Sequence, residues 1–233
     1  MNEASLQRGA AWEAGLGDPI RPDAVVGFGT ALANDESERF PVDQLACLHG
    51  MGLFAELVPR EWGGQLDEPE RVLLLSRILS RRDLALAVVF GQSLLGSLPI
   101  WLSGSAKQRQ RQADLLLSGR LACLALTERS HGSDLLSTSF GAEEVDAGSA
   151  LELTGEKWLI NNGSRADVLI VLARGYAIKG GRSDLVLLQL ERPARPSDGW
   201  HDHPKVATLG IRAADISGFR MDRYRCESAA MLP

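Results

Sequence analysis

LACLALTERSHGSD, residues 121–134, decides how this chain of 233 residues is read. An apolar run through Thr127 has the length of a strand and empties into a polar turn that carries Ser130, Gly132, Ser133 and Asp134. Downstream, ALELTG (150–155), DVLIVLAR (167–174), DLVLLQL (184–190) and ISGFRM (216–221) repeat the pattern of short apolar runs broken by glycine, asparagine and proline. Runs of this length and spacing suit a sandwich or barrel. Upstream, the apolar residues recur at helical spacing instead. Helices followed by strands, without alternation, predict an α+β chain and argue against a doubly wound sheet. The expected division is an all-α domain over residues 1–120 and a β-barrel-like domain over 121–233.

The helical half carries its own punctuation. Pro41 suits the first turn of a helix running toward Gly50 or Gly52, and VPREWGGQ (58–65) reads as a turn-rich connection. Asp67 and Glu70 form a D-x-x-E capping pattern ahead of a helix whose Val72, Leu75, Ile78 and Leu79 make one stripe. Ser105 with Gln108 predicts a second capping box, and Gly119 is placed to close the helix it opens. Between Leu84 and Ala106 no charged residue occurs, which is long enough for a membrane span. Gln92, four serines, three glycines and Pro99 dilute that run, so a buried helix or helix pair is expected and no membrane span.

Composition narrows the class further. Lys+Arg 25 against Asp+Glu 30 gives a formal charge of -5, the wrong sign for nucleic-acid binding. Cys47, Cys123 and Cys226 are odd in number and lack CxxC spacing, which argues against a disulfide framework and a zinc site. With an early glutamate and no apolar segment at the N-terminus, the expected location is a reducing cytoplasm.

Within the turn at 128–137, successive N–H groups around Gly132, flanked by hydroxyls, could make an anion-binding nest for a phosphate or pyrophosphate. A plain strand-to-loop turn with local Ser and Asp capping is the other reading. Elsewhere, His201 and His203 flank Asp202 without a third ligand at hand and read as loop residues, and His131 reads as an exposed loop histidine. Lys107–Arg111, KQRQR, could steer an acidic carrier but reads first as a solvated helix face. Ser103 and Ser105 lack a His-base context and read as caps.

TERSHGSD (127–134) followed by LTGEKWLINNGSRADVLIVLAR (153–174) resembles the central part of the acyl-CoA dehydrogenase family. LVPREWGG (57–64) and SGSAKQRQRQADLLLSGRLACLALTE (103–128) resemble its helical domain, and HPKVATLGIRAADISGFRMD (203–222) its closing β segment. The resemblance runs over roughly residues 40–233. It implies FAD as cofactor and an acyl thioester as substrate, losing hydrogens from its α and β carbons. It also places Leu124, Leu126 and Thr127 along the flavin, Gly132 and Ser133 at the pyrophosphate, and Ser133 near the thioester's pantetheine arm. Leu159, Ile160 and Asn161 stand where the family usually has aromatic-Ile-Thr beside the isoalloxazine, so Leu159 offers only apolar contact and Asn161 an amide donor toward flavin N5. Trp158 would point away if the strand is regular.

Other departures follow. Arg129 replaces a common proline. Gly175 replaces a CoA-contacting serine, so a carrier-protein thioester stands beside CoA as substrate. The family's α-proton base lies on a C-terminal helical domain, and no residue of this sequence is assigned that role. Glu128 and Glu156 are expected at solvated turns. The resemblance thus implies a homo- or hetero-oligomer with a chain supplying that domain, or a fragment. A non-catalytic binding or structural subunit, and a flavin oxidase or monooxygenase, are the alternatives.

Overall fold

The computed structural model describes residues 3–176, 184–194 and 198–233. Among these, six α-helices precede seven strands: α1 (Glu3–Leu16), α2 (Phe28–Glu36), α3 (Val42–Gly50), α4 (Pro69–Arg82), α5 (Leu84–Ser103) and α6 (Ala106–Leu117), then β1 (Ala122–Ala125), β2 (Gly141–Val145), β3 (Ala150–Asn161), β4 (Val168–Tyr176), β5 (Asp184–Glu191), β6 (Trp200–His203) and β7 (Ile216–Glu227). The class is α+β, as expected.

The stripe Val72, Leu75, Ile78 and Leu79 is buried on α4. Its start differs from the expected one: Glu68 is the N-cap and Pro69 the first helical residue. Proline wins because its fixed φ and missing N–H suit that position, and Asp67 pairs with Arg60 and Arg71 instead. On α6 the expected capping box is present, the Gln108 N–H donating to Ser105 Oγ and the Ser105 N–H to Gln108 Oε1. Gly119 closes that helix at φ +83. Ser103 is no cap; its hydroxyl donates back to Pro99 O.

By length and composition α5 could cross a membrane, but it lies within the fold, 56% of its apolar window buried. The polar residues that dilute it are the ones that dock it. Gln92 Nε2 donates to Leu124 O at 3.1 Å, and the Ala122 N–H reaches Ser93 Oγ at 3.4 Å. Ser97 accepts from Gln112 of α6 at 2.9 Å, and Gln112 in turn accepts from Gln189 of β5 at 3.0 Å. Gly96 faces the Cys123 backbone so closely that a Cβ there would lie 2.7 Å from its nitrogen and carbonyl carbon. Helix and first strand are thus in backbone contact.

The strands form one mixed, curled sheet. β4 pairs antiparallel with β5 along one edge and parallel with β1 and then β2 along the other; β2, β3, β7 and β6 follow antiparallel. Its inward side is filled by Phe140, Leu151, Leu153, Leu169, Val171, Leu188, Phe219 and Met221. His201 and His203, read as loop residues, belong to β6, a four-residue strand whose polar composition hides its alternation.

Gly96→Val should lift α5 off β1 and lower the unfolding free energy by about 2 kcal/mol, the scale of overpacking a tight core. Urea titrations of the two proteins measure the difference.

Candidate functional site

β1 stops at Ala125, but the chain stays against β3 for three more residues. The Trp158 N–H donates to Thr127 O at 2.9 Å, and Lys157 Nζ donates to Leu126 O at 2.9 Å. Leu124, Leu126 and Thr127 are half-buried, while Cys123 and Ala125 between and before them are fully buried. Leu124 packs on Ile100, Ile170 and Leu232.

β3 is not regular. Its pairing with β7 shifts between Leu153 and Gly155 and again between Trp158 and Ile160. At the second bulge Leu159 takes φ +56 and is 50% exposed, whereas Ile160 is buried. A branched side chain in the left-handed region costs on the order of 1 kcal/mol, and bulges of this kind re-aim a side chain. Leu159 is thereby turned out beside Thr127. Asn161 follows, half-buried, its side chain without a protein partner among the described residues. The next residue is different in character: Asn162 is buried and donates to Val89 O (3.1 Å) and Ala122 O (3.3 Å), tying this end of β3 to α5 and β1.

The polar turn begins at Glu128, expected at a solvated position and found 5% exposed. Its carboxylate accepts from the Thr138 hydroxyl (3.0 Å), the Ser139 hydroxyl (2.6 Å), the Ser139 and Phe140 N–H groups (3.0 Å each) and Lys157 Nζ (2.9 Å). Residues 128 and 138–140 are therefore stapled together at the base of a loop. Burial pushes the Glu128 pKa up, but the Ser139 hydroxyl, the Lys157 ammonium and the two N–H groups outweigh it and hold the group at about 2. Burial lowers the Lys157 pKa, with Glu128 opposing. The alternation of β3 concealed this lysine, and the 29-residue separation concealed the pair.

Above that staple the loop is open. Gly132 and Ser133 are exposed, and a Cβ built on Gly132 meets no atom within 4 Å. His131 is half-buried, its N–H and carbonyl closing a turn with Glu128. Glu156 is partly exposed; its Oε1 accepts from Arg129 Nε at 2.6 Å and lies 2.9 Å from His203 Nε2. The run KQRQR is no free basic face: Arg111 pairs with Glu191, and Arg109 donates to Ile100 O. No group of three metal-ligating side chains occurs among the described residues. The pairing of residues 126–127 with 157–158 sets Leu126 and Thr127 near the end of β3, where Leu159 and Asn161 are at least partly exposed and Ile160 is buried in the core of the sheet, next to the root of the loop carrying Gly132 and Ser133. Apolar surface, two polar side chains and an open glycine loop can hold an extended ligand with a ring at one end and an anion at the other.

The family description "Acyl-CoA dehydrogenase, N-terminal domain" matches residues 29–120, and "Acyl-CoA dehydrogenase, middle domain" matches residues 123–224. A probable acyl-CoA dehydrogenase of Bacillus subtilis (strain 168) is 31% identical over 176 residues, 74% of this chain and 28% of that protein. The mitochondrial very long-chain specific acyl-CoA dehydrogenase of Bos taurus is 33% identical over 209 residues, 87% of this chain and 31% of that protein. The acyl-CoA dehydrogenase of Bacillus anthracis, solved complexed with FAD, aligns with a TM-score of 0.83 at 26% identity, over 100% of this chain and 38% of that one. The chain spans about a third of the length of these proteins.

Because Glu128 titrates at about 2 in the fold against 4.5 ordinarily, its share of stability is complete above pH 4.5 and is lost as pH falls toward 2. Glu128→Gln should flatten that acid limb and, by leaving Lys157 buried without its counterion, cost about 3 kcal/mol at neutral pH. Urea unfolding between pH 2 and 7 reads both effects.

Proposed function

Because the chain belongs to the acyl-CoA dehydrogenase family, we propose that it holds FAD and orients an acyl thioester for α,β-dehydrogenation. The observation that carries this is the Leu159 bulge: an exposed apolar side chain held at φ +56 next to Asn161, whose amide has no protein partner among the described residues. The residues fit the cofactor. Leu126 and Leu159, and the half-buried Leu124 upstream, offer apolar contact to a ring system, and Thr127 and Asn161 offer polar contact to its edge. Ser130 and Ser133 flank a glycine whose space is clear of protein atoms, which suits phosphate oxygens. When bound, FAD supplies the two-electron acceptor for the hydrogens leaving the α and β carbons.

This chain's own part is binding and orientation. Ser133, exposed beside Gly132, is assigned to the pantetheine arm as well. Gly175 on β4 presents no side chain, which supports a carrier-bound thioester as readily as CoA. The α-proton base is assigned to helical polypeptide beyond these 233 residues, in the same or another chain. Glu128 is unsuited because five hydrogen bonds hold its pKa at about 2, and Glu156 because it is engaged by Arg129. The free thiols of Cys47, Cys123 and Cys226 support a reducing compartment, the cytoplasm.

Gly132→Val tests the binding reading, since a Cβ at Gly132 meets no protein atom within 4 Å and the loop there is exposed. Flavin absorbance after gel filtration should be lost while far-UV dichroism is unchanged; flavin retained at the wild-type ratio contradicts the assignment. Asn161→Ala should lower the potential of bound flavin with little change in oxidised FAD affinity, because an amide donor near N5 favours the reduced form. A dye-coupled potential titration measures it.

A further inference from the structure

Arg129 stands at the mouth of the loop, yet its guanidinium is already engaged within the protein. Its centre lies 3.7 Å from the centroid of the Trp158 ring, and its Nε donates to Glu156 Oε1 at 2.6 Å. The same carboxylate oxygen lies 2.9 Å from His203 Nε2. His203 in turn meets Trp158 edge-on, with ring centroids 5.6 Å apart and an interplanar angle of 78°. Four side chains thereby close a ring over three segments: the loop at 129, β3 at 156 and 158, and β6 at 203.

This ring complements the buried staple. Glu128 and Arg129 are neighbours in sequence, and so are their partners Lys157 and Trp158. One pair is buried, while Arg129 keeps 54% of its side chain exposed, so the root of the loop is bolted to β3 on both sides. Beyond the bolts the chain is held lightly. From Ser130 to Asp134 the protein contacts are local: the turn between His131 and Glu128, the Leu135 N–H on Ser133 O, and the Ser137 hydroxyl on Asp134. The direction in which Gly132 and Ser133 leave the end of β1 is set on the outgoing side at residues 128 and 129, while Arg174 of β4 holds the returning side by donating to Leu136 O and Thr138 O. Trp158 has a second consequence, because the next residue is Leu159 at its bulge. A single indole thus separates the root of the loop from the side chain turned toward the proposed ring.

We propose that Arg129 is a positioning residue, which fixes the loop relative to the Leu159 bulge so that the two ends of one dinucleotide are met in register. Its cation is used up on Trp158 and Glu156 and makes no contact with the ligand. The proposal rests on the FAD reading above. A half-exposed cation–π stack with one charged hydrogen bond contributes modestly, so the effect expected is about fivefold.

The test is equilibrium titration of the full chain with FAD and, separately, with riboflavin, which carries the ring but no phosphate. Arg129→Ala should weaken FAD about fivefold and leave riboflavin unchanged. Arg129→Lys keeps the charge without the planar stack and should behave like the alanine variant; Trp158→Phe keeps an aromatic face and should stay near wild type. Equal weakening of both ligands would mean general damage to the site and would overturn the proposal, as would full rescue by lysine, which points to bulk attraction. Unchanged FAD affinity in Arg129→Ala overturns it while leaving the FAD reading intact. Absence of FAD binding by the wild-type chain would overturn both.

Discussion

A carboxylate and an ammonium buried against each other hold the candidate site together. Taking both ions out of water is costly, and the pair is tolerable only when every remaining hydrogen-bonding position is filled. Here they are filled. Glu128 receives two hydroxyls and two N–H groups besides Lys157, and Lys157 reaches Leu126 O and the Thr138 hydroxyl besides Glu128. The pair joins three stretches far apart in sequence: the end of the first strand, the return of the loop at 138–140, and the middle of β3. With its base closed in this way, the segment between presents Gly132 and Ser133 to solvent.

The second constraint is the docking of α5 on β1. An apolar helix carrying glutamine, serines and glycine looks compromised when considered alone, but each departure has a partner. Gly96 allows backbone contact with Cys123, Gln92 and Ser93 reach the β1 backbone, and Ser97 joins a relay through Gln112 to Gln189. Asn162 answers from the far side, with one amide shared between Val89 O and Ala122 O. The helical and strand regions are consequently fixed to each other next to the bulge, so that Thr127, Leu159 and Asn161 sit on a rigid support rather than on a free loop.

Much of the helical half was legible because its signals are local. Ser105, Gln108 and Gly119 act within one helix, and the α4 stripe follows from spacing alone. Legibility fails where two local rules compete or where a long-range partner decides. Pro69 displaces the Asp67 cap because a proline at the first helical position is the stronger signal. In β3 the buried positions run Leu151, Leu153, Lys157 and then Ile160, so two bulges break the alternation from which Trp158 and Leu159 would be placed. Glu128 looks like a turn residue until Lys157 is brought to it. β6, with two histidines and an aspartate in four residues, has no apolar alternation to announce it. The candidate site residues are legible only through resemblance; the fold adds that residues 126–127 lie against 157–158.

The central claim is that the loop around Gly132 and the bulge at Leu159 are two parts of one FAD site. Hydrogen exchange followed by mass spectrometry, with and without FAD, addresses it directly, because backbone N–H groups that meet a ligand or lose solvent exchange more slowly. The account predicts that peptides covering residues 129–137 and 158–162 gain protection together and over the same range of FAD concentration. Protection of one without the other, or protection confined to the helical region, would contradict it.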